Sequence, residues 1–298
     1  MVDRFTGLWR GGILLVLLAV GGCAGPSNEQ IAQIAQSGEV FAAHVPRVYD
    51  VAFESAVDRD SSDLANQRKN AKGRPAAVQN AVMAAYVGNT DALAQRLDQF
   101  NTMKSHARLL DKYFTKLNAV ASGGGSAAAG EAATGAADQL EKLAPSIKDL
   151  SIGGKAVSGF VGPLVSLGVS TFTNSQLQAH LKASGPKVQE AIALQGAMFA
   201  LLLDLERDRA KATADAKVKV AFDAFDQPLP STWSAERLKS LKPAPITNAL
   251  SAARDAADQL QSNYEQLVTG GDGSIGRLQN ALALVGAIVT VFETSNRQ

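Results

Sequence analysis

The feature that most constrains this chain is a three-four spacing of apolar residues. It recurs over most of the chain after residue 30. One run is Ile31, Ile34, Gly38, Phe41, Val45, Val48 and Ala52; another is Leu93, Leu97, Phe100, Lys104, Ala107, Leu110, Phe114 and Leu117. Leu250, Ala253, Ala257, Leu260, Tyr264 and Leu267 repeat it, as do Ile275, Leu278, Leu282, Leu284 or Val285, Val289 and Phe292. Such spacing lines one face of an α-helix, and a striped helix must bury that face on others. The expected fold is therefore all-α, a bundle of long amphipathic, partly coiled-coil-like helices. The last two stripes, joined through Gly270-Gly271-Asp272-Gly273, should form an antiparallel hairpin.

Punctuation divides these stripes. Pro46 should kink or split the first helix, Gly88 should end a helix that starts at Pro75, and Thr90 should cap the next. Residues 58–72 are polar and read as a solvated continuation or a loop. The stretch 122–137, SGGGSAAAGEAATGAA, has no large apolar side chain and reads as a hinge between N-terminal helices (31–121) and a C-terminal bundle (138–298), with the two packing as one domain as the alternative. Val218, Val220 and Phe222 alternate like a short strand, though helix continuation is the better reading there.

The N-terminus carries an address. Arg4 and Arg10 precede the apolar run Ile13 to Val20, and Gly21 and Gly22 follow. Eight apolar residues make only about 12 Å of helix, too short for a hydrocarbon core of roughly 30 Å. A basic start, a short apolar stretch and small residues make a secretory signal. The chain's one cysteine, Cys23, directly follows Val20-Gly21-Gly22. This resembles the lipobox of bacterial lipoproteins. The resemblance implies removal of residues 1–22 by cleavage between Gly22 and Cys23, and diacylglycerol and acyl chains such as palmitate on Cys23. It also implies a tether over 23–30 and a membrane as partner through several lipid chains. Ala24, where Asp favours inner-membrane retention, tilts the expectation to the periplasmic leaflet of the outer membrane if the source is Gram-negative. A lipidated Cys23 leaves no thiol for catalysis or metal binding.

Residues 156–181 hold no Asp, Glu, Lys or Arg. Within and beside them Gly154, Ser158, Gly162, Ser166 and Ser170 recur every four residues, which on a helix would make a groove for a membrane or partner helix. A second uncharged run follows over Ala191 to Leu203. A membrane-inserting hairpin over 153–203, similar in architecture to α-helical pore-forming toxins and colicins, is therefore the alternative to a soluble bundle. Five glycines between Gly153 and Gly168, Pro163, and the brevity of the second run favour burial in the bundle instead.

Catalytic and cofactor signals are missing from the sequence. His44, His106 and His180 lie far apart, and none has an acid three residues before it, as di-iron bundles need. No metalloprotease, phosphate-loop or nucleophile-elbow motif occurs. Gly153-Gly154-Lys155 reads as a helix start. The acids Asp58, Asp60, Asp63 and Asp204, Glu206, Asp208 sit among Arg59, Arg68, Arg207, Arg209 and Lys211, which reads as solvated helix faces with local ion pairs. Lys+Arg number 29 against 28 Asp+Glu, and removing residues 1–22 (Asp3, Arg4, Arg10) leaves 27 of each sign. That balance gives no electrostatic ground for nucleic acid as a partner. The expectation is a non-catalytic, lipid-anchored scaffold or binding protein of the cell envelope, with no metal or cofactor and a partner protein in that envelope. A lysine-terminated peptidoglycan link is not expected, because the chain ends Asn296-Arg297-Gln298.

Overall fold

The computed structural model describes residues 27–123, 127–162, 164, 175–223, 228–229, 231–241, 244–269 and 275–295. Seven α-helices carry almost all of them: α1 (Asn28–Ala71), α2 (Ala76–Ala121), α3 (Ala127–Lys148), α4 (Ser175–Asp223), α5 (Trp233–Leu241), α6 (Pro245–Thr269) and α7 (Ile275–Ser295). The fold is an all-α helical bundle. A contiguous core draws on α1, α2, α3, α4, α6 and α7. α1 and α2 form the longest antiparallel pair, α3 and α4 pack beside α2 and each other, and α6 lies against α4, α1 and α7.

α1 opens on a capping box that satisfies two backbone donors the first turn would otherwise leave bare. Ser27 Oγ accepts from the Gln30 backbone N–H at 3.2 Å, and Gln30 Oε1 accepts from the Ser27 N–H at 2.8 Å. Pro46 does not divide the helix. It removes one ladder bond, but Phe41, Ala42, Val45, Val48 and Tyr49 on both sides of it are buried and hold the two halves in one core. α4 likewise runs unbroken through Pro186, and α3 through Pro145.

Three further expectations are corrected. α2 does not stop at Gly88, and Thr90 is no cap: its hydroxyl donates back to the Tyr86 carbonyl at 2.8 Å inside a continuous helix. Residues 127–137 are helical, with Ala133, Ala136 and Ala137 fully or almost fully buried. Alanine needs no large group to pack when a neighbouring helix comes close, and it is the best helix former. Of the two readings of the polar stretch 58–72, solvated continuation holds, since residues 58–71 are helix and extend α1. Helix continuation also holds through Val218, Val220 and Phe222.

The small-residue series is not a helix face. Ser151–Ile152 and Lys155–Ala156 pair as a two-residue hairpin, with Gly153 and Gly154 at its turn at φ +61° and +79°. Positive φ at both central positions makes this a type I′ turn, which glycine enters without the strain a Cβ would bring. Ser158 lies in a short 3₁₀ segment (Val157–Phe160), and Gly162 follows in non-helical chain. Ser166 and Ser170 lie outside the described residues. A hairpin over 153–203 would need a turn between its two uncharged runs, yet α4 passes straight through residues 182–187. Within α4, Ala179–Ala216 is long and apolar enough to cross a membrane, yet 83% of its most apolar window is buried inside the bundle.

Candidate functional site

The bundle body ends abruptly at Ala56, Phe100 and Leu205. Beyond it α1 and α2 continue as a paired arm. No residue from 57 to 70 of α1 or from 76 to 99 of α2 is buried. Fifteen helical residues beyond Ala56 carry the arm about 22 Å past the core. Half-buried Val82, Ala85, Asn89, Leu93 and Arg96 recur at three-four spacing and make a thin seam toward α1. Asn89 Nδ2 donates to Asp60 Oδ1 across the pair at 2.5 Å. On the outward side Met83, Tyr86 and Val87 are 65%, 59% and 55% exposed, a run of apolar surface on an otherwise polar arm.

Charged groups staple the root of this arm to α4. Arg59 of α1 grips Glu206 of α4 with both terminal nitrogens, Nη2 to Oε1 at 2.8 Å and Nη1 to Oε2. Arg209 Nη1 donates to the same Oε1 at 3.0 Å. Arg96 of α2 completes the group. Burial, then Arg209, lower its pKa, Glu206 opposes them, and Arg59 lowers it further. Its Nε is buried with no hydrogen-bond partner. Arg96, Glu206 and Arg209 line a small cleft with Ala52, Ala56, Phe100, Leu202, Leu205 and Leu250, and Arg59 reaches the group through Glu206. On the neighbouring turns of α4, Lys155 from the hairpin donates to Asp204 at 2.5 Å and to Asp208 at 2.6 Å. Those two bonds hold the Lys155 ammonium above its usual range.

The acids of residues 204–208 are thus held from a distance and not by neighbours on one face alone. Arg59 and Glu206 are 147 residues apart in sequence, and no local pattern announces their meeting. Arg96 escaped the sequence reading altogether. Its one signal was position: an arginine between Leu93 and Leu97 in an apolar stripe.

The other polar groups inside the body serve packing. Tyr49 Oη donates to Gln195 Oε1 at 2.7 Å, and Gln195 Nε2 donates to the Met103 carbonyl at 3.2 Å and to His106 Nδ1 at 2.8 Å. Those bonds fix the amide's orientation and make His106 Nδ1 an acceptor, so its proton sits on Nε2, which has no partner. His180 is the opposite tautomer. The Thr134 hydroxyl spends its proton on the Gly130 carbonyl, so His180 Nδ1 must donate to Thr134 Oγ1, 3.1 Å away. Burial lowers His106 to about 3 and His180 to about 4. His44 is half-buried against α7, where a Cβ on Gly286 would lie 3.3 Å from its ring. Among the described residues no group of three or more His, Cys, Asp or Glu is arranged to hold a metal ion.

Of the sequence-derived site residues, Gly22 and Cys23 lie outside the described residues. Gly154, Ser158 and Gly162 are brought to one hairpin and the segment after it, not to a groove. No protein-family model, curated protein or solved structure matches the chain.

Proposed function

We propose that the protein is a lipid-anchored, non-catalytic scaffold of the cell envelope, held by acyl chains on Cys23 at the periplasmic leaflet of the outer membrane. It presents its helical arm to an envelope protein. The observation that carries this reading is the single unbroken α1. It starts five residues after Cys23 and runs 44 residues to Ala71 at the arm's tip. At 1.5 Å per residue that is about 66 Å of helix between the anchor end and the tip. A chain tethered at one end and bearing exposed Met83, Tyr86 and Val87 near the other is built to reach outward from a surface. The burial of α4's apolar window in the bundle supports this role over insertion of residues 153–203 as a membrane hairpin.

Two measurements test it. Metabolic labelling with a clickable palmitate should mark the parent and not Cys23→Ser; equal label in both, or none in the parent, ends the anchoring part. A photo-crosslinking residue at Tyr86 in living cells should capture an envelope protein that the same residue on the body, at Lys112, does not. Recovery of the same products from both positions would contradict presentation by the arm.

A further inference from the structure

We infer that the guanidinium groups at the arm's root form a binding site for a small dianionic oxyanion of the phosphate class. The inference stands independently of the anchor and of any protein partner. Arg59, Arg96 and Arg209 come from α1, α2 and α4, the three helices that leave the body here, and they face one carboxylate, Glu206. The cluster therefore carries a formal surplus of two positive charges. Lys155 is no part of it, being taken up by Asp204 and Asp208.

Glu206 cannot settle that surplus. Its side chain is 10% exposed; Arg59 occupies both of its oxygens, and one of them also accepts from Arg209. Arg96 has two guanidiniums and this shared carboxylate as its charged neighbours, and its Nε stays buried without an acceptor. The remaining walls, Ala52, Ala56, Leu202 and Leu250, offer no side-chain acceptor and lower the local dielectric, which strengthens attraction for an incoming anion.

Size and charge select the ligand. The cleft as a whole has room for only about one water, so an anion is not enclosed by it and is held at its rim by the guanidiniums. A carboxylate would leave one positive charge over. A phosphate or phosphomonoester dianion balances both and has acceptor oxygens spaced for guanidinium forks. Such an ion would tie α1, α2 and α4 together at the point where the arm departs.

The test is calorimetric titration of the detergent-solubilised full chain with inorganic phosphate, at constant ionic strength in chloride. The parent should saturate at millimolar phosphate or below. Arg96→Gln should weaken binding about tenfold or more, the loss of a charge-assisted contact. Glu206→Gln should tighten it, because it removes the internal competitor and frees two guanidiniums. If Glu206→Gln loses its helical circular dichroism, Arg209→Gln, on the exposed side, takes its place and should weaken binding several-fold. Glycerol phosphate and phosphatidylcholine vesicles containing phosphatidic acid distinguish the source. Arg96-dependent binding of the soluble ester assigns a free phosphate, and Arg96-dependent retention on vesicles alone assigns a lipid headgroup. Absence of saturation by every probe, equal binding by parent and Arg96→Gln, or displacement by acetate as effective as by phosphate would overturn the site.

Discussion

Gly38 of α1 lies directly against the ring of Phe114 on α2: a Cβ built on Gly38 would sit 2.5 Å from ring carbons. Both residues are buried, and the Phe114 ring packs edge-on against Tyr113 and Tyr264. This contact sets how closely the two longest helices approach in the body.

Gly38→Ala is therefore predicted to destabilise the protein despite alanine's better helix propensity. Overpacking a fixed ring costs about 3 kcal/mol, and propensity returns about 1 kcal/mol, for a net loss of about 2 kcal/mol. Urea unfolding followed by circular dichroism measures it. Phe114→Leu should recover part of the loss in the Gly38→Ala background while destabilising the parent, a sign reversal that a double-mutant cycle exposes. A Gly38→Ala protein as stable as the parent would contradict the close approach.

The two core histidines predict an acid-labile bundle. Their folded pKa values, about 3 for His106 and about 4 for His180, lie below the unfolded value of about 6.5 because burial disfavours the cation. Between those limits the unfolded chain binds more protons. Stability is thus complete above about pH 6.5 and declines as pH falls toward the folded values. At pH 4.5 the loss is on the order of 5 kcal/mol. Asp138 and Asp208, whose carboxyls are pulled below 3.8 chiefly by the Lys187 and Lys155 hydrogen bonds, titrate beneath this window. Denaturant midpoints at pH 7.5 and 4.5 check the slope. His106→Gln, which does not titrate, should shrink it even though the variant starts less stable.

The hairpin turn gives a graded series. At Gly153 a Cβ meets both a positive φ and Leu205 Cδ2 at 2.8 Å, whereas at Gly154 it meets the positive φ with open space around it. Gly154→Asn should be nearly neutral, because asparagine tolerates this region. Gly154→Ala should cost about 1 kcal/mol and Gly153→Ala about 2 to 3 kcal/mol. Thermal unfolding ranks the three. Equal losses at the two glycines would mean that Leu205 does not pack beneath the turn.

The all-α body was legible in the sequence because it depends on periodicity: the stripe of α6 is buried as its spacing selects, and so are Leu278, Leu282 and Val285 of α7. Breaks were harder to read. Pro46 and Gly88 look like punctuation, but whether a helix stops there depends on the packing on both sides, which is not local. Residues 127–137 misled for the converse reason: alanine looks like filler until a neighbouring helix comes close enough to bury it. Gly154 falls at the right spacing for a small-residue groove, and only the paired strands decide for a turn. The arm-root cluster was out of reach, since Arg59, Arg96 and Glu206 meet through tertiary packing and share no motif. The capping box Ser27-x-x-Gln30 was a local signal that the stripe beginning at Ile31 overshadowed.

The body should stand without its arm. From 57 to 70 and from 76 to 99 no side chain is buried, so the arm contributes little to the core. Asp60 and Asn89 face each other across α1 and α2 at hydrogen-bond distance, and neighbouring helices there are about 10 Å apart, a gap that four turn residues span. Replacing residues 61–88 with a Gly/Asn-rich turn of four residues should therefore leave the cooperative unfolding of the body intact, with a free-energy change under about 1 kcal/mol. It should also leave palmitate incorporation at Cys23 unchanged, while the envelope protein captured through Tyr86 no longer copurifies. Loss of cooperative unfolding would show that the arm is structural after all. Retention of the partner by the shortened chain would move the binding surface to the body, and the long reach of α1 would then need a different explanation.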